Sequence, residues 1–134
     1  MGSLIDTSVW IDAFHSKSPP SVKAMASAVI NRIDAVVCEP VHLEFFRGIP
    51  DRELPRAQQY FDTFPMLSTP PSLWREATDL LRKCLRSGSP VNPLDALISI
   101  IAITHDATIV TFDHDFLILK QHSKLSVELL ARVS

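Results

Sequence analysis

Short apolar runs alternate along the chain with longer stretches in which apolar residues recur at the helical spacing of three and four. The short runs predict strands over residues 3–6, 35–40 and 107–111, and KLSVELL (124–130) predicts an edge strand. The longer stretches predict helices over residues 20–32, 41–48, 53–64, 72–87, 93–104 and 115–121. Between them, PMLSTPP (65–71) predicts an irregular or short extended segment. Strands that alternate with helices indicate an α/β sandwich around a mainly parallel central sheet.

The helix over 72–87 has the clearest amphipathic pattern. Five apolar residues share one of its faces: Leu73, Ala77, Leu80, Leu81 and Cys84. The next helix has a standard beginning, because Asn92 suits an N-cap and Pro93 suits the first helical position. Gly48 is the expected C-cap of the short helix over 41–48.

The composition is that of one soluble domain spanning residues 1–134, with 46% hydrophobic and 21% charged residues. Cys38 and Cys84 lack a CxxC spacing and are expected to be reduced thiols in a cytoplasmic protein. The early acids Asp6 and Asp12 argue against a signal peptide, and the apolar stretch 96–103 is far shorter than the ~20 residues of a membrane span. The net charge of −2 neither indicates nor excludes a nucleic-acid partner, because acids gathered in a metal site would leave a slightly basic surface.

Four acids lie where a parallel sheet would bring them together. Asp6 follows the first predicted strand, Asp113 follows the third, Glu44 lies on the helix after the second, and Asp95 lies in the first turn of its helix. Ligands of such sheets bind beyond the carboxyl ends of the strands. A cluster of carboxylates repels itself, and a hard divalent cation such as Mg²⁺ relieves that repulsion. The sequence therefore predicts a metal site at this edge, where one or two ions would activate water for phosphodiester hydrolysis.

Each acid also has a simpler structural interpretation. Asp6 can cap the turn that follows it, Asp95 can favour the helix dipole, and Glu44 can be a solvated helix residue. Asp113 and Asp115 can be turn and N-cap residues. Taken singly, the structural role is favoured for each acid except Asp6, for which the two interpretations are balanced. Only the joint placement favours a metal site.

Four motifs in this order, LIDTSVWID, EPVHLEFFRG, NPLDALISIIA and IVTFDHDF, make the whole chain resemble the PIN-domain family. Within that family the chain is similar to the VapC-type toxins of toxin–antitoxin pairs. The resemblance implies a PIN-like α/β/α sandwich and an endoribonuclease dependent on Mg²⁺ or Mn²⁺. It further implies a set of catalytic, metal-binding acids: Asp6, Glu44, Asp95 and Asp113. Asp115 matches a second aspartate of the last motif, which leaves open whether Asp113 or Asp115 binds metal.

The resemblance also implies supporting residues and partners. Ser8 or Thr111 would support a metal-bound water, and the RNA products would carry 5′-phosphates. The partners would be a second copy of the chain and a VapB-like antitoxin whose C-terminal segment occupies the acidic pocket. Basic residues in two groups are candidates for phosphate contacts, although each could equally be solvated: Arg75, Arg82, Lys83 and Arg86, and Arg47, Arg52 and Arg56.

Other chemistries find little support in the sequence. The five histidines show no HExxH or other zinc spacing, and there is no GxSxG or GxxxxGK[ST] motif. An aspartyl-phosphate phosphatase would need an acid two residues after Asp6, where Ser8 stands. A receiver domain would need adjacent acids and a late lysine after a strand. The remaining alternative is a catalytically inactive module of the same fold that binds RNA or protein.

Overall fold

Five parallel strands form one central sheet in the computed structural model, which describes residues 2–132. The strands are β1 (Ser3–Ile5), β2 (Ala35–Cys38), β3 (Met66–Leu67), β4 (Thr108–Thr111) and β5 (Ser126–Leu129). The α-helices are α1 (Thr7–Phe14), α2 (Pro20–Ile30), α3 (Glu39–Phe46), α4 (Leu54–Phe61), α5 (Ser72–Arg86), α6 (Pro93–Thr104) and α7 (Asp115–Gln121). A 3₁₀ turn, Asp51–Glu53, precedes α4.

The strand order is β3-β2-β1-β4-β5, so the first strand lies at the centre of the sheet. Leu4 of β1 pairs with Val36 of β2 on one side and with Ile109 of β4 on the other. Helix α1 packs with α2 and α3, whereas α5, α6 and α7 pack with one another. Right-handed crossovers place these two groups on opposite faces of the sheet. This arrangement confirms the predicted α/β/α sandwich and brings the ends of β1 and β4 side by side.

The strand predictions are confirmed within one or two residues, and so are most of the helices. The second strand ends at Cys38 rather than Pro40, because Pro40 fits the first turn of α3, where its missing N–H costs nothing. Gly48 was wrongly expected to cap that helix, which ends at Phe46. The glycine with a left-handed backbone is Gly88 (φ 79°), which follows α5 and ends it in a Schellman motif.

Helix α1 was not predicted from the sequence. It begins immediately after β1, with Asp6 as its N-cap, and it buries Val9 and Trp10 completely. Helix α5 follows its prediction closely, because four of the five apolar residues on its predicted face are buried and the fifth, Leu81, is partly buried. Its arginines lie on the exposed face.

The last described residues pack against the carboxyl end of β4 and against α1. The Leu130 N–H donates to the carbonyl of Thr111 (2.7 Å), at the end of β4. The guanidinium of Arg132 forms an ion pair with the buried Asp12 of α1 and lies 4.7 Å from the centroid of the Phe112 ring. These contacts connect the last segment to the helix that Asp6 caps. Every helix within residues 2–132 is too short or too polar to traverse a lipid bilayer.

Candidate metal centre

Asp6 caps α1 and lies among the candidate acids at the carboxyl end of β1. Its Oδ2 accepts hydrogen bonds from the Thr111 hydroxyl (2.7 Å), the Ser8 hydroxyl (2.8 Å) and the Ser8 N–H (3.3 Å). The residue is 3% exposed at the carboxyl end of β1. The structural interpretation of Asp6 is therefore correct, and it does not exclude the metal-binding one, because capping fixes the carboxylate in place.

Ser8 and Thr111 hold Asp6 and the turn after β4 together. While the Ser8 Oγ–H and Thr111 Oγ1–H both donate to Asp6, their oxygens accept from the N–H groups of Phe112 (3.1 Å) and Asp113 (2.9 Å), respectively. Each hydroxyl has one proton, so neither can donate elsewhere while it bonds Asp6. A nearby water could only donate to them. Their predicted support of a metal-bound water stays a prediction.

Glu44 is held by a residue that the sequence analysis missed. The Thr7 hydroxyl, in the first turn of α1, donates to Glu44 Oε1 (2.9 Å) on α3. Thr7 itself is buried. The only sequence signal for Thr7 was its place between Asp6 and Ser8, and the contact depends on how α1 packs against α3.

Three other acids form the tightest group. Carboxylate oxygens of Asp95, Asp113 and Asp115 all lie within 4.8 Å of one another. Asp95 is buried in the first turn of α6, after the predicted Asn92 cap, whose side chain accepts from the Leu94 N–H (2.8 Å). Asp113 Oδ1 accepts from the Asp115 N–H (2.9 Å), which confirms a turn role for Asp113 as well. Asp6 and Glu44 lie outside this group.

The acids nevertheless act on one another electrostatically. Burial, together with the charges of Asp6, Glu44, Asp113 and Asp115, raises the pKa of Asp95 to about 8. Burial is also the main cause that raises the pKa of Asp6 and of Glu44, and their hydrogen bonds oppose it only in part. All five predicted acids therefore lie close enough at the carboxyl edge of the sheet for their charges to interact.

This donor set fits a hard divalent cation. Every donor is a carboxylate oxygen, the ligand type that Mg²⁺ and Mn²⁺ prefer over sulfur or imidazole. Asp95 is buried among like charges, and burial and those charges, rather than a hydrogen bond, determine its pKa. A bound cation would supply the missing opposite charge. Asp95, Asp113 and Asp115 are thus an acidic triad able to hold a metal ion.

The metal-free protein should lose stability as the pH rises. Asp95 has a pKa of about 8 in the folded chain against an ordinary value of 3.8, so the folded state binds more protons between these values. Stability is therefore greatest at the lower end of this window and declines towards its upper end. Across the window, Asp95 is ionised in the unfolded chain and still protonated in the folded one. We expect Asp95→Asn to remove on the order of 2 kcal/mol of this decline, measured by urea unfolding in EDTA at about pH 5 and pH 8.5. If the free energy of unfolding changed with pH equally in the two proteins, the interaction of Asp95 with the neighbouring acids would be contradicted.

The two groups of candidate basic residues lie in different places. Arg47 and Arg52 line a cavity that Glu44 also lines. Arg56 is exposed on α4, and the basic residues of α5 are exposed on the other layer of the sandwich: Arg75, Arg82, Lys83 and Arg86. Among these candidates, Arg47 and Arg52 thus share a cavity with Glu44.

Comparison with known proteins identifies the family. The model of the PIN domain matches residues 3–121. Ribonuclease VapC11 from Mycobacterium tuberculosis and VapC ribonuclease Mb1587 from Mycobacterium bovis are each 30% identical over 128 residues, covering 91% of this chain and 94% of the relative. Among solved structures, VapBC2 from Rickettsia felis, bound to a promoter DNA fragment, matches with a TM-score of 0.74 at 18% identity, covering 97% of this chain and 99% of that one. That likeness shows a shared fold, and with the sequence matches it establishes that this chain belongs to the PIN-domain family.

Proposed function

We propose that this protein is an endoribonuclease that depends on Mg²⁺ or Mn²⁺ and acts as the toxin of a VapBC-type toxin–antitoxin pair. The observation behind this proposal is the group of Asp95, Asp113 and Asp115 oxygens within 4.8 Å of one another. Asp6 and Glu44 contribute their charges to the same field. The names of the VapC relatives, which describe ribonucleases, support the substrate class.

The residues of the chain hold the cation and position the groups around it. Asp95, Asp113 and Asp115 would hold it directly, with Asp6 and Glu44 completing the negative site. When bound, a divalent cation supplies Lewis-acid activation of water and neutralises charge on the phosphodiester. Thr111 and Ser8 keep Asp6 fixed, and Thr7 keeps Glu44 fixed. This fixed arrangement lowers the reorganisation needed during the reaction.

The side chains present do not favour a protein nucleophile. The hydroxyls of Ser8 and Thr111 both donate to Asp6, so their protons are already engaged. Cys38 lies at the end of β2, but burial and the neighbouring acids raise its pKa to about 12, which keeps the thiol protonated. Water is therefore the nucleophile that this site supports, and hydrolysis by water is consistent with 5′-phosphate products.

Two protein partners belong to the same proposal. Several neighbours of similar fold are toxin–antitoxin complexes, among them DNA-bound VapBC from Salmonella typhimurium. A VapB-like antitoxin would place its C-terminal segment in the acidic pocket, where a basic side chain meets the charge of the five acids. The toxin itself would be a cytoplasmic homodimer.

Cleavage of total cellular RNA by the purified, partner-free protein tests the function. We expect discrete cuts with Mg²⁺ or Mn²⁺ and none with EDTA. Asp113→Asn and Asp115→Asn, assayed side by side, separate the two acids. The larger loss is expected for Asp113→Asn, because the Asp113 carboxylate is half-buried and accepts a hydrogen bond from the Asp115 N–H, whereas Asp115 is exposed. No cleavage with either metal, from protein shown to be folded, would favour the inactive binding module.

A further inference from the structure

Helix α1 presents two polar side chains to the turn that follows β4. Ser8 and Asp12 are four positions apart, so they lie on the same side of the helix. The Ser8 hydroxyl oxygen accepts from the Phe112 N–H (3.1 Å). Arg132 forms its ion pair with Asp12 and lies 4.7 Å from the centroid of the Phe112 ring, within the range of a cation–π contact. Phe112 is therefore connected to α1 twice, at its N–H through Ser8 and at its ring through Arg132.

The Asp12 carboxylate holds Arg132 in a fixed direction. Asp12 is 6% exposed, and each of its oxygens has its own donor. The Ser18 hydroxyl donates to Oδ1 (2.9 Å), and the Arg132 guanidinium donates to Oδ2. The carboxylate cannot rotate without losing one of these bonds, and hydrogen bonds between charged groups are stronger than neutral ones. The guanidinium is therefore kept beside the Phe112 ring.

Phe112 lies at the centre of the turn that carries two of the acids. The residue before it is Thr111, whose hydroxyl donates to Asp6 (2.7 Å). The residue after it is Asp113, whose Oδ1 accepts from the Asp115 N–H (2.9 Å). Phe112 itself is buried. Any displacement of Phe112 would therefore move Asp113 relative to Asp6.

We propose that Arg132 is a positioning residue of the cation site, which fixes the turn after β4 to α1 through its ion pair with Asp12. Neither residue ligates the cation. They act through Phe112, by limiting the positions that Asp113 and Asp115 take relative to the third acid of the triad. A metal site needs its ligands held to within about 0.5 Å, and the residues behind the ligands supply that precision. The inference rests on the cation site of the proposed function and extends that site to the last described residue.

A second ion pair of the described chain holds the same terminal segment at another place. Arg32, which follows α2, donates to both carboxylate oxygens of Glu128 on β5 (2.8 and 2.7 Å). This pair connects β5 to the end of α2 and not to α1. Arg32→Ala is therefore the matched control, because it removes an arginine and an ion pair from the terminal segment and leaves the contacts of the turn after β4 in place.

Binding of Mn²⁺ to the folded, metal-free protein tests the inference. Electron paramagnetic resonance measures the free Mn²⁺ during a titration, at a temperature where circular dichroism shows each variant to be folded. We expect Arg132→Ala to weaken Mn²⁺ binding about 10-fold, an effect typical of residues behind metal ligands. Arg132→Lys, which keeps the ion pair with Asp12, should recover most of the affinity. Arg32→Ala should bind Mn²⁺ as the wild-type protein does.

A double variant checks that Arg132 acts through Asp12. Asp12→Asn keeps the shape of the side chain and removes the charge that binds the guanidinium, so it should weaken Mn²⁺ binding as well. Because both substitutions break one link, the double variant should bind Mn²⁺ no more weakly than Arg132→Ala alone. It also leaves no unpaired carboxylate buried on α1, so the comparison holds even if Arg132→Ala does not fold.

Three results with these variants would overturn the inference. One is an Arg132→Ala protein that unfolds at a lower temperature but keeps the wild-type affinity for Mn²⁺, which would make the ion pair a stabilising contact only. Another is an equal loss of affinity in Arg32→Ala, which would reflect a general loosening of the terminal segment. The third is additive losses in the double variant, which would mean that Arg132 and Asp12 act separately.

RNA cleavage separates this inference from the proposed function. Arg132→Ala should need about 10-fold more Mn²⁺ than the wild-type protein for half-maximal cleavage. If the wild-type protein binds Mn²⁺ but cleaves no RNA, the nuclease assignment fails, and the titration still decides the role of Arg132. If the wild-type protein binds no Mn²⁺, the cation site is wrong and the inference fails with it.

Discussion

Asp95→Asn is expected to reduce metal-dependent RNA cleavage by about 10³-fold or more, because several kcal/mol of charge stabilisation depend on the cation site. Asp95 belongs to the tight triad with Asp113 and Asp115, and its pKa is affected by the charges of Asp6 and Glu44 as well. Asparagine keeps the shape of the side chain and removes the charge. The variant should therefore stay folded while it binds the cation poorly.

Initial cleavage rates over a series of Mg²⁺ concentrations measure this effect. The matched control is Asp79→Asn, which makes the same chemical change on the exposed face of α5 and should keep wild-type activity. Circular dichroism and unfolding curves show whether both variants are folded. An Asp95→Asn protein that keeps a tenth or more of the wild-type rate at moderate Mg²⁺ would refute the assignment of Asp95 to the cation.

Trp10→Ala should destabilise the protein by about 3–5 kcal/mol, the range for removing a buried aromatic side chain. Trp10 is completely buried, and five aromatic rings have centroids 5.0–6.0 Å from its own: Phe14, Phe45, Tyr60, Phe61 and Phe64. These contacts attach α1 to α3 and α4. Asp6 caps α1 and Glu44 lies in the last turn of α3. A shift of these two helices would move both acids, so the substitution should also reduce metal affinity.

Trp10→Phe is the matched control for the loss of volume. We expect it to cost only about 1–2 kcal/mol, because the ring that remains still packs and because Nε1 of Trp10 is buried without a hydrogen-bond partner. Urea unfolding with and without Mg²⁺ measures both quantities. Equal losses for the two variants would contradict this expectation, because they would show that a phenyl ring recovers none of the packing of the indole.

The strands, and the edge of the sheet at which the candidate acids gather, could be predicted because they follow local rules. A short apolar run that ends on an acid, as at Ile5 and Asp6, indicates both a buried strand and the edge at which it ends. Helix α1 escaped prediction because it begins directly at the end of β1, without a connecting turn, and is only eight residues long. Its β-branched and aromatic residues, such as Val9 and Trp10, have only middling helix propensity. Packing against neighbouring helices stabilises it instead.

The contacts that fix the site could not be predicted, because they join residues far apart in sequence. Thr7 bonds Glu44 across 37 positions, and Arg132 reaches Asp12 across 120. The two interpretations of Asp6 also proved compatible, since the capping oxygen and the site acid belong to one carboxylate. From the sequence alone, capping and metal binding look like alternatives, whereas in the folded chain one carboxylate can serve both.

The central place of β1 has a consequence for when the acidic site can assemble. Asp6 lies near the start of the chain, and its hydrogen-bond donor Thr111 lies 105 positions later. A ribosome needs roughly 5 to 20 seconds to add that many residues. During this interval β1 has no β4 beside it, and Asp113 and Asp115 are made only after Thr111. A growing chain that has not yet reached Asp115 lacks part of the acidic triad, so the proposed cation site cannot assemble until most of the described chain has been made.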